Sequence, residues 1–322
     1  MKNLPKLPQL PALCPPIPID RIVEYIRPVS DLHLEFYLYQ DYSIEAFQAV
    51  LVRIVPPDPR DFNSALILNG DICNIKLIDL VLQILTDRFP VIVFVPGNHD
   101  YWGSNLYDTA DVFREYENKY PNQVFISTLH HPVILLLKSS IGVTTRLVGT
   151  TLWGIGGDNP VSSLQLANLP DFRRITLGEA EENSGKYVSF TPEGMNIFNK
   201  IDSISLKLAL EAPTDSDQTF VATHYLPSEE FLNTKIHRDV FDNIFYSNQH
   251  SLFPRVDLWM FGHTHQCWNV QKETTRFIAN SKGYPREFIY GFNPSLFIPL
   301  GVKVSDQKFE TLKPHGDLRP WD

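Results

Sequence analysis

The chain has 322 residues, 43% of them hydrophobic, and a formal net charge of -9 at pH 7; the length supports a substantial buried core, and the charge opposes bulk attraction to nucleic acid or anionic membrane, both of which rest on clustered Lys and Arg. A small phosphorylated substrate is not excluded, because bound cations would reverse the field locally. A soluble globular enzyme is the default for such a chain, and the three cysteines, Cys14, Cys73 and Cys267, too few and too scattered for a disulfide framework and without a C-x-x-C pair, fit the reducing cytoplasm.

The opening segment, MKNLPKLPQLPALCPPIPID, has no unbroken apolar stretch of the kind a secretory leader needs. No run of about 18 apolar residues, the length of a membrane span, occurs anywhere in the chain. Pro5, Pro8, Pro11, Pro15, Pro16 and Pro18 forbid helix or central strand, so residues 1–18 read as a proline-rich arm and residues 19–322 as a single domain. Short β-rich runs then alternate with longer helical patterns, the order expected of an α/β fold. Strands are expected in YIRPVS before Asp31, SALILNG before Asp71, VIVFVPG before Asn98, RLVGTTLW around Thr150, QTFVAT before His224 and VDLWMFG before His263. Helices are expected over 43–55, 75–87, 105–120 and 192–211, the second so apolar that most of it should face other layers. Residues 158–187 lack clear periodicity and read as an irregular insertion over one face, a common place for substrate specificity. No internal repeat is visible.

Chemistry concentrates in short segments directly after those apolar runs: Ser30-Asp31-Leu32-His33, Gly70-Asp71, Gly97-Asn98-His99-Asp100, Thr223-His224 and Gly262-His263-Thr264-His265. In open α/β sheets ligands bind beyond the carboxyl ends of the strands, so such segments converge on one site if their strands are neighbours. Asp31 with His33, and His263 with His265, are i,i+2 pairs that face one another poorly on a helix but can both turn to a shared ion from a tight loop. Carboxylate, amide and imidazole ligands without thiolate suit Mn, Fe, Zn, Co or Ni, with no choice among them.

The ordered set D-x-H, G-D, G-N-H-D, H, G-H-x-H resembles that of the calcineurin-like metallophosphoesterase superfamily, with all five motifs intact between Asp31 and His265. The resemblance implies a four-layer sandwich of two mixed β-sheets flanked by α-helices. It also implies two divalent metal ions, one held by Asp31, His33, Asp71 and His265 and the other by Asp71, Asn98, His224 and His263, with Asp71 bridging. Two ions about 3.5–4 Å apart can clamp a phosphoryl group and lower the pKa of a bound water, so the implied reaction is phosphoester hydrolysis by metal-bound hydroxide. His99 is by resemblance the catalytic side chain, stabilising charge on phosphorus or protonating the leaving oxygen. Asp100 reads equally as a residue that orients the His99 ring or supports a neighbouring ligand, or as a loop cap or surface turn, and is not placed among the catalytic residues.

Protein serine/threonine phosphatases of the superfamily extend the second motif with Asp-Arg and end the third in Glu, where this chain has Gly-Asp-Ile-Cys-Asn and Asn-His-Asp. Purple acid phosphatases carry a metal-bound Tyr where this chain has Asn74. The motifs look more like those of small bacterial and phage-type phosphodiesterases and cyclic-nucleotide phosphodiesterases, which favours a phosphodiester, and a small phosphorylated substrate over long nucleic acid or a membrane. Many relatives have His-His at the fourth motif; here it is His224-Tyr225, and His224, directly after the strand, is taken as the ligand. The alternatives are a nuclease and a catalytically silent binding scaffold of the same fold. His130, His131, His237, His250 and His315 have no motif around them and read as surface or core histidines. Arg173, Arg174, Lys282 and Arg286 are candidates to approach substrate phosphate, against the simpler reading of solvated charge. Trp102 and Trp153 read as core residues that lie near the motif loops.

Overall fold

A computed structural model describes residues 14–38, 41–128, 131–154, 169–179, 185–232, 242–303, 306–308 and 310–313. The chain opens with β1 (Ile17–Ile22) and β2 (Tyr25–Val29), followed by α1 (Ile44–Ile54), β3 (Ser64–Leu68), α2 (Ile78–Thr86) and β4 (Val91–Phe94). β5 (Ser104–Asn105), α3 (Leu106–Lys119), β6 (Val124–Ile126), β7 (Val133–Lys138) and β8 (Thr144–Gly149) come next. The second half holds α4 (Pro170–Arg174), β9 (Ile175–Glu179), β10 (Tyr187–Ser189), α5 (Pro192–Glu211), β11 (Gln218–Ala222), β12 (Leu258–Phe261), β13 (Trp268–Lys272), β14 (Thr275–Ala279) and β15 (Ile298–Pro299).

Helix starts follow capping chemistry. The side chains of Ser43, Asn105 and Thr191 accept hydrogen bonds from Ala46, Asp108 and Gly194 N–H, opening α1, α3 and α5, and Pro192 adds a pre-set φ to the last. The expected helix over 75–87 begins with a 3-10 turn at Ile75–Leu77 before α2.

The strands build one sheet in the order β1-β7-β8-β11-β12-β14-β13, a second in the order β15-β2-β3-β4-β6, and a small one, β10-β9-β5. Both large sheets are mixed: β2, β3, β4 and β6 are parallel and β15 antiparallel, while β8, β11, β12 and β14 are parallel and β13 antiparallel. Alternation along each strand sets the layers. Ala65, Ile67, Val91 and Val93 point into the space between the large sheets, against Leu147, Phe220, Leu258 and Met260. Leu66, Leu68, Ile92 and Phe94 point the other way, against Phe47 and Leu51 of α1, Val81 and Leu82 of α2 and Phe113 of α3. On the far side, Val148, Val221 and Trp259 pack on Leu206, Ala209 and Leu210 of α5. The result is the expected four-layer sandwich, and because both faces of both sheets are covered, the strands read as near-continuous apolar runs.

Two expectations are corrected. The strand β1 includes Pro18, assigned above to the arm; it lies at the edge of the seven-stranded sheet and pairs only with β7, where a missing N–H costs no ladder bond. Within 158–187, expected to be irregular, the described part forms α4 and β9, with β10 beginning at its end. Pro170 sits at the start of α4 and buried Ile175 and Leu177 alternate along β9; residues 158–168 and 180–184 lie outside the described residues, as do 1–13 of the arm. No helix among the described residues is long and apolar enough to cross a membrane.

Candidate metal centre

The loops that follow β2, β3, β4, β11, β12 and β14 are stitched together at one edge of the sandwich. Asp31 N–H donates to Gly70 O, Gly283 N–H to Asp31 O, and Gly262 N–H to His224 O. The Asn69 side chain crosses between the sheets, its amide donating to Thr223 O at 3.0 Å. The close quarters explain the glycine at 97: a Cβ there would lie 2.2 Å from Asp71 Oδ1 and 2.6 Å from the His224 ring.

The backbone itself is bent to aim the side chains. Asp31 (φ 54°), His33 (φ 44°), Asp71 (φ 53°), His263 (φ 77°) and His265 (φ 49°) all occupy the left-handed region, at a cost of about 1–2 kcal/mol per residue. Both members of each i,i+2 pair are among them. Strain of this kind persists where the surroundings over-determine it.

All seven residues picked out as ligands come together. Asp31, His33 and His265 offer ligand atoms within 4.8 Å of one another, and so do Asp71, His224 and His263. Asp71 lies between the groups, its Oδ1 3.5 Å from His224 Nε2 and its Oδ2 3.8 Å from His33 Nε2. Asn98 Oδ1 is 3.1 Å from His224 Nε2. Burial, followed by the mutual repulsion of neighbouring histidines, holds His33 and His263 well below the ordinary imidazole range; burial also lowers His224. These rings are neutral at pH 7, with lone pairs to give. Asp71 is pushed up, first by burial and then by the charges of Asp100 and Asp31.

Hydrogen bonds on the outer side of the rings fix which nitrogen carries that lone pair. His224 Nδ1 lies 2.9 Å from the carbonyl oxygen of Asn69; a carbonyl only accepts, so Nδ1 carries the proton and Nε2 is bare. Nε2 then faces Asn98 Oδ1 and Asp71 Oδ1, acceptor against acceptor. His265 Nδ1 is held by Glu287 Oε2 at 2.6 Å, and its Nε2 lies 2.9 Å from His33 Nε2 and 3.8 Å from Asp31 Oδ1. His263 Nε2 and His33 Nδ1 are buried without a hydrogen-bond partner among the described residues. A buried convergence of imidazole nitrogens and carboxylate and amide oxygens lacks positive charge, and divalent cations fit the donor set.

His99 stands beside these groups. Its N–H donates to Asp71 Oδ1 at 2.8 Å, its ring stacks on Trp102 with centroids 3.4 Å apart, and its Nε2 lies 3.3 Å from the Tyr284 hydroxyl. Burial lowers its pKa and raises that of Tyr284, so both are neutral at pH 7. His33, Glu35 and His99 form a third close group, with Glu35 Oε1 4.0 Å from His33 Nδ1 and its carboxyl pushed up to about 8 by burial. Asp100 does not orient the His99 ring. It is fully buried, and its Oδ2 accepts from Asp71 N–H (2.8 Å) and Gly97 N–H (2.7 Å), its Oδ1 from Ile72 N–H (2.9 Å) and Cys73 N–H (3.1 Å). Burial pushes its carboxyl up to about 7 against the pull of those four donors.

Among the residues weighed as secondary contacts, Trp153 is core, the Arg174 guanidinium lies 4.3 Å over the Trp102 ring, and Lys282 Nζ lies 5.6 Å from the Tyr37 ring. Arg286 is exposed. Tyr225 packs its ring 4.1 Å from that of His263. His250 bonds to Ser228 on the surface, and His130, His237 and His315 lie outside the described residues. Sequence reasoning missed Asn69, Glu287, Tyr284, Glu35 and Asp171; Glu287 sits in the Lys-Gly-Tyr-Pro-Arg-Glu stretch that was read only for its basic residues.

A family model described as calcineurin-like phosphoesterase matches residues 28–267. The chain is 26% identical over 299 residues to uncharacterized protein L509 of Acanthamoeba polyphaga mimivirus, covering 87% of this chain and 98% of that one. The crystal structure of phosphopantetheinyl hydrolase (PptH) from Mycobacterium tuberculosis superposes with a TM-score of 0.61 at 17% identity, covering 82% of this chain and 91% of that one. At that identity the likeness is one of fold.

Proposed function

The chain belongs to the calcineurin-like phosphoesterase family, metal-dependent phosphoric ester hydrolases, and from that premise we propose a dinuclear phosphodiesterase acting on a small phosphorylated substrate in the cytoplasm. One divalent cation is assigned to Asp31, His33, Asp71 and His265, and the other to Asp71, Asn98, His224 and His263. The observation that carries this assignment is the bare His224 Nε2, tied back through Nδ1 to Asn69 O and facing two oxygens at 3.1 and 3.5 Å. A cation between them would make that contact favourable. The two oxygens of Asp71 face opposite groups, which supports a bridging role.

Cations bound there neutralise charge on phosphoryl oxygens and lower the pKa of water. The chain's own residues do the rest. Glu287 and Asn69 hold the His265 and His224 rings at Nδ1, so that each Nε2 faces the other candidate ligands. Trp102 fixes the plane of the His99 ring, and His99, neutral but carrying one N–H, can stabilise a phosphoryl oxygen or hand a proton to the leaving oxygen. Tyr284, whose phenol burial keeps protonated, supplies a second donor beside it.

The preference for a diester rests on the third motif ending in Asp100 and on Gly262-His263-Thr264-His265. The test is hydrolysis of an aryl phosphodiester and the matching monoester by protein stripped and reloaded with Mn, Zn or Fe, beside Asp71→Asn. Metal-dependent turnover that favours the diester and disappears in Asp71→Asn is expected. Faster monoester hydrolysis would overturn the diester assignment, and one cation per chain at saturation would overturn the dinuclear one.

A further inference from the structure

Asn98 poses a problem that the other ligands do not. An amide presents a carbonyl oxygen at one end and an NH2 group of the same shape at the other, and a half-turn exchanges them. Only the oxygen can bind a cation. Left to itself beside the bare His224 Nε2 and the Asp71 carboxylate, the amide would choose the wrong end, because its N–H groups would satisfy both acceptors.

The structure contains a device against that half-turn. Asp171, in α4, accepts from Asn98 Nδ2 at 3.0 Å and from Trp102 Nε1 at 2.7 Å, both on Oδ1. An acceptor at that point admits only the NH2 end of Asn98, which leaves Oδ1 facing His224. The carboxylate is itself held in place by bonds that do not depend on an ion. Arg174 O accepts from Gly103 N–H at 2.7 Å, β9 pairs with β5 through Ser104 and Ile175, and Phe172 packs on Phe190 with ring centroids 5.4 Å apart. The same oxygen anchors the indole against which His99 stacks.

We propose that Asp171 is a positioning residue for the metal centre: it sets the amide of Asn98 so that oxygen meets the cation shared with Asp71, His224 and His263, and through Trp102 it sets the plane of His99. This rests on the dinuclear assignment above. Asp171 lies outside all five motifs, in the segment that sequence patterning expected to be irregular. Its hydrogen bond sets the orientation of the Asn98 amide, an effect that a residue merely stabilising the fold would not have.

The test is titration of metal-free protein with Mn(II), read by calorimetry and by electron paramagnetic resonance of the loaded protein, with no substrate present. Asp171→Ala should weaken one of the two cations by about 10–100-fold, the usual cost of losing a residue that orients a ligand. Asp171→Asn should restore most of that affinity, because its amide oxygen can accept the same two N–H groups. In an Asn98→Asp background, where both ends of the ligand are oxygens and orientation no longer matters, Asp171→Ala should cost nothing. A wild-type chain that binds no cation overturns the inference together with the metal centre. Two cations bound equally by wild type and Asp171→Ala overturn the inference alone. So does a loss of the same size with and without the Asn98→Asp substitution, which would mark a purely structural effect.

Discussion

Replacing Asp100 should damage the protein by loosening two loops at once, and the hydrogen bonds allow the damage to be graded. Each carboxylate oxygen serves two backbone N–H groups: Oδ2 ties Asp71 to Gly97, and Oδ1 holds Ile72 and Cys73. Asparagine has the same shape but only one acceptor end, so whichever way it turns, two buried N–H groups lose their partner and face an NH2 group instead. At about 1–3 kcal/mol per orphaned donor, Asp100→Asn should cost about 2–6 kcal/mol. Asp100→Ala orphans all four and should cost at least about 4 kcal/mol, a large share of the roughly 5–15 kcal/mol that holds a typical domain folded. Urea denaturation of the metal-free protein measures both losses, and cation titration should show weaker binding in the same order, since the loops carry Asp71 and Asn98. An Asp100→Asn protein as stable as wild type that binds cations normally yet has lost turnover would refute the reasoning and move Asp100 into the chemistry.

Other substitutions separate chemistry from stability. His99→Ala should lower turnover by about 10²–10⁴-fold, the range of a lost acid-base group, while the protein still takes up its cations; metal loss in proportion to activity would count against the assignment. Asp61 pairs with buried Arg27 at 2.5 Å and with Arg88 at 2.7 Å, so Asp61→Ala strands a buried guanidinium and should cost about 3–5 kcal/mol in urea denaturation; a loss below about 1 kcal/mol would show that Pro56 O and Pro294 O, the other acceptors of Arg27, suffice. The Asp202 carboxylate, buried behind Leu152 N–H (2.8 Å), is raised to about 7 by burial. Its folded pKa exceeds the unfolded value of about 3.9, so its contribution is full below about pH 4 and is lost as pH rises through about 7. Asp202→Asn cannot titrate, and its stability should fall less than that of wild type between about pH 4 and pH 8; parallel stability curves would refute the shift.

Apolar runs alternating with helical patterns carried the α/β class, because most strands buried on both faces announce themselves that way, while the four-layer sandwich came from the family resemblance; the convergence of Asp31, His33, Asp71, Asn98, His224, His263 and His265 was legible because each stands in a segment directly after such a run. β7 is as apolar as any of them, but no chemistry-bearing residue follows it, and it went unnoticed. The supporting residues were illegible for a different reason. Asn69 acts on His224, 155 positions away, and Asp171 on Asn98, 73 away; these relations exist only across folded space. Asp100 sat inside a motif and its role stayed open between support and loop cap, because its four partners are backbone groups, which have no letter in a sequence. In α4 and β9 the periodic stretch is too short to stand out from the polar residues around it.

The left-handed backbone at Asp31, His33, Asp71, His263 and His265 bears on the rival reading of a silent scaffold. Glycine would adopt those angles freely, so at each position a ligand side chain is kept at the expense of an easier backbone. A lineage that had abandoned hydrolysis would be free to relax the backbone with glycine at His33, His263 and His265, whereas at Asp31 and Asp71 it would still lose the acceptors of His263 and His99 N–H. This chain keeps histidine, with its left-handed backbone, at all three of those positions.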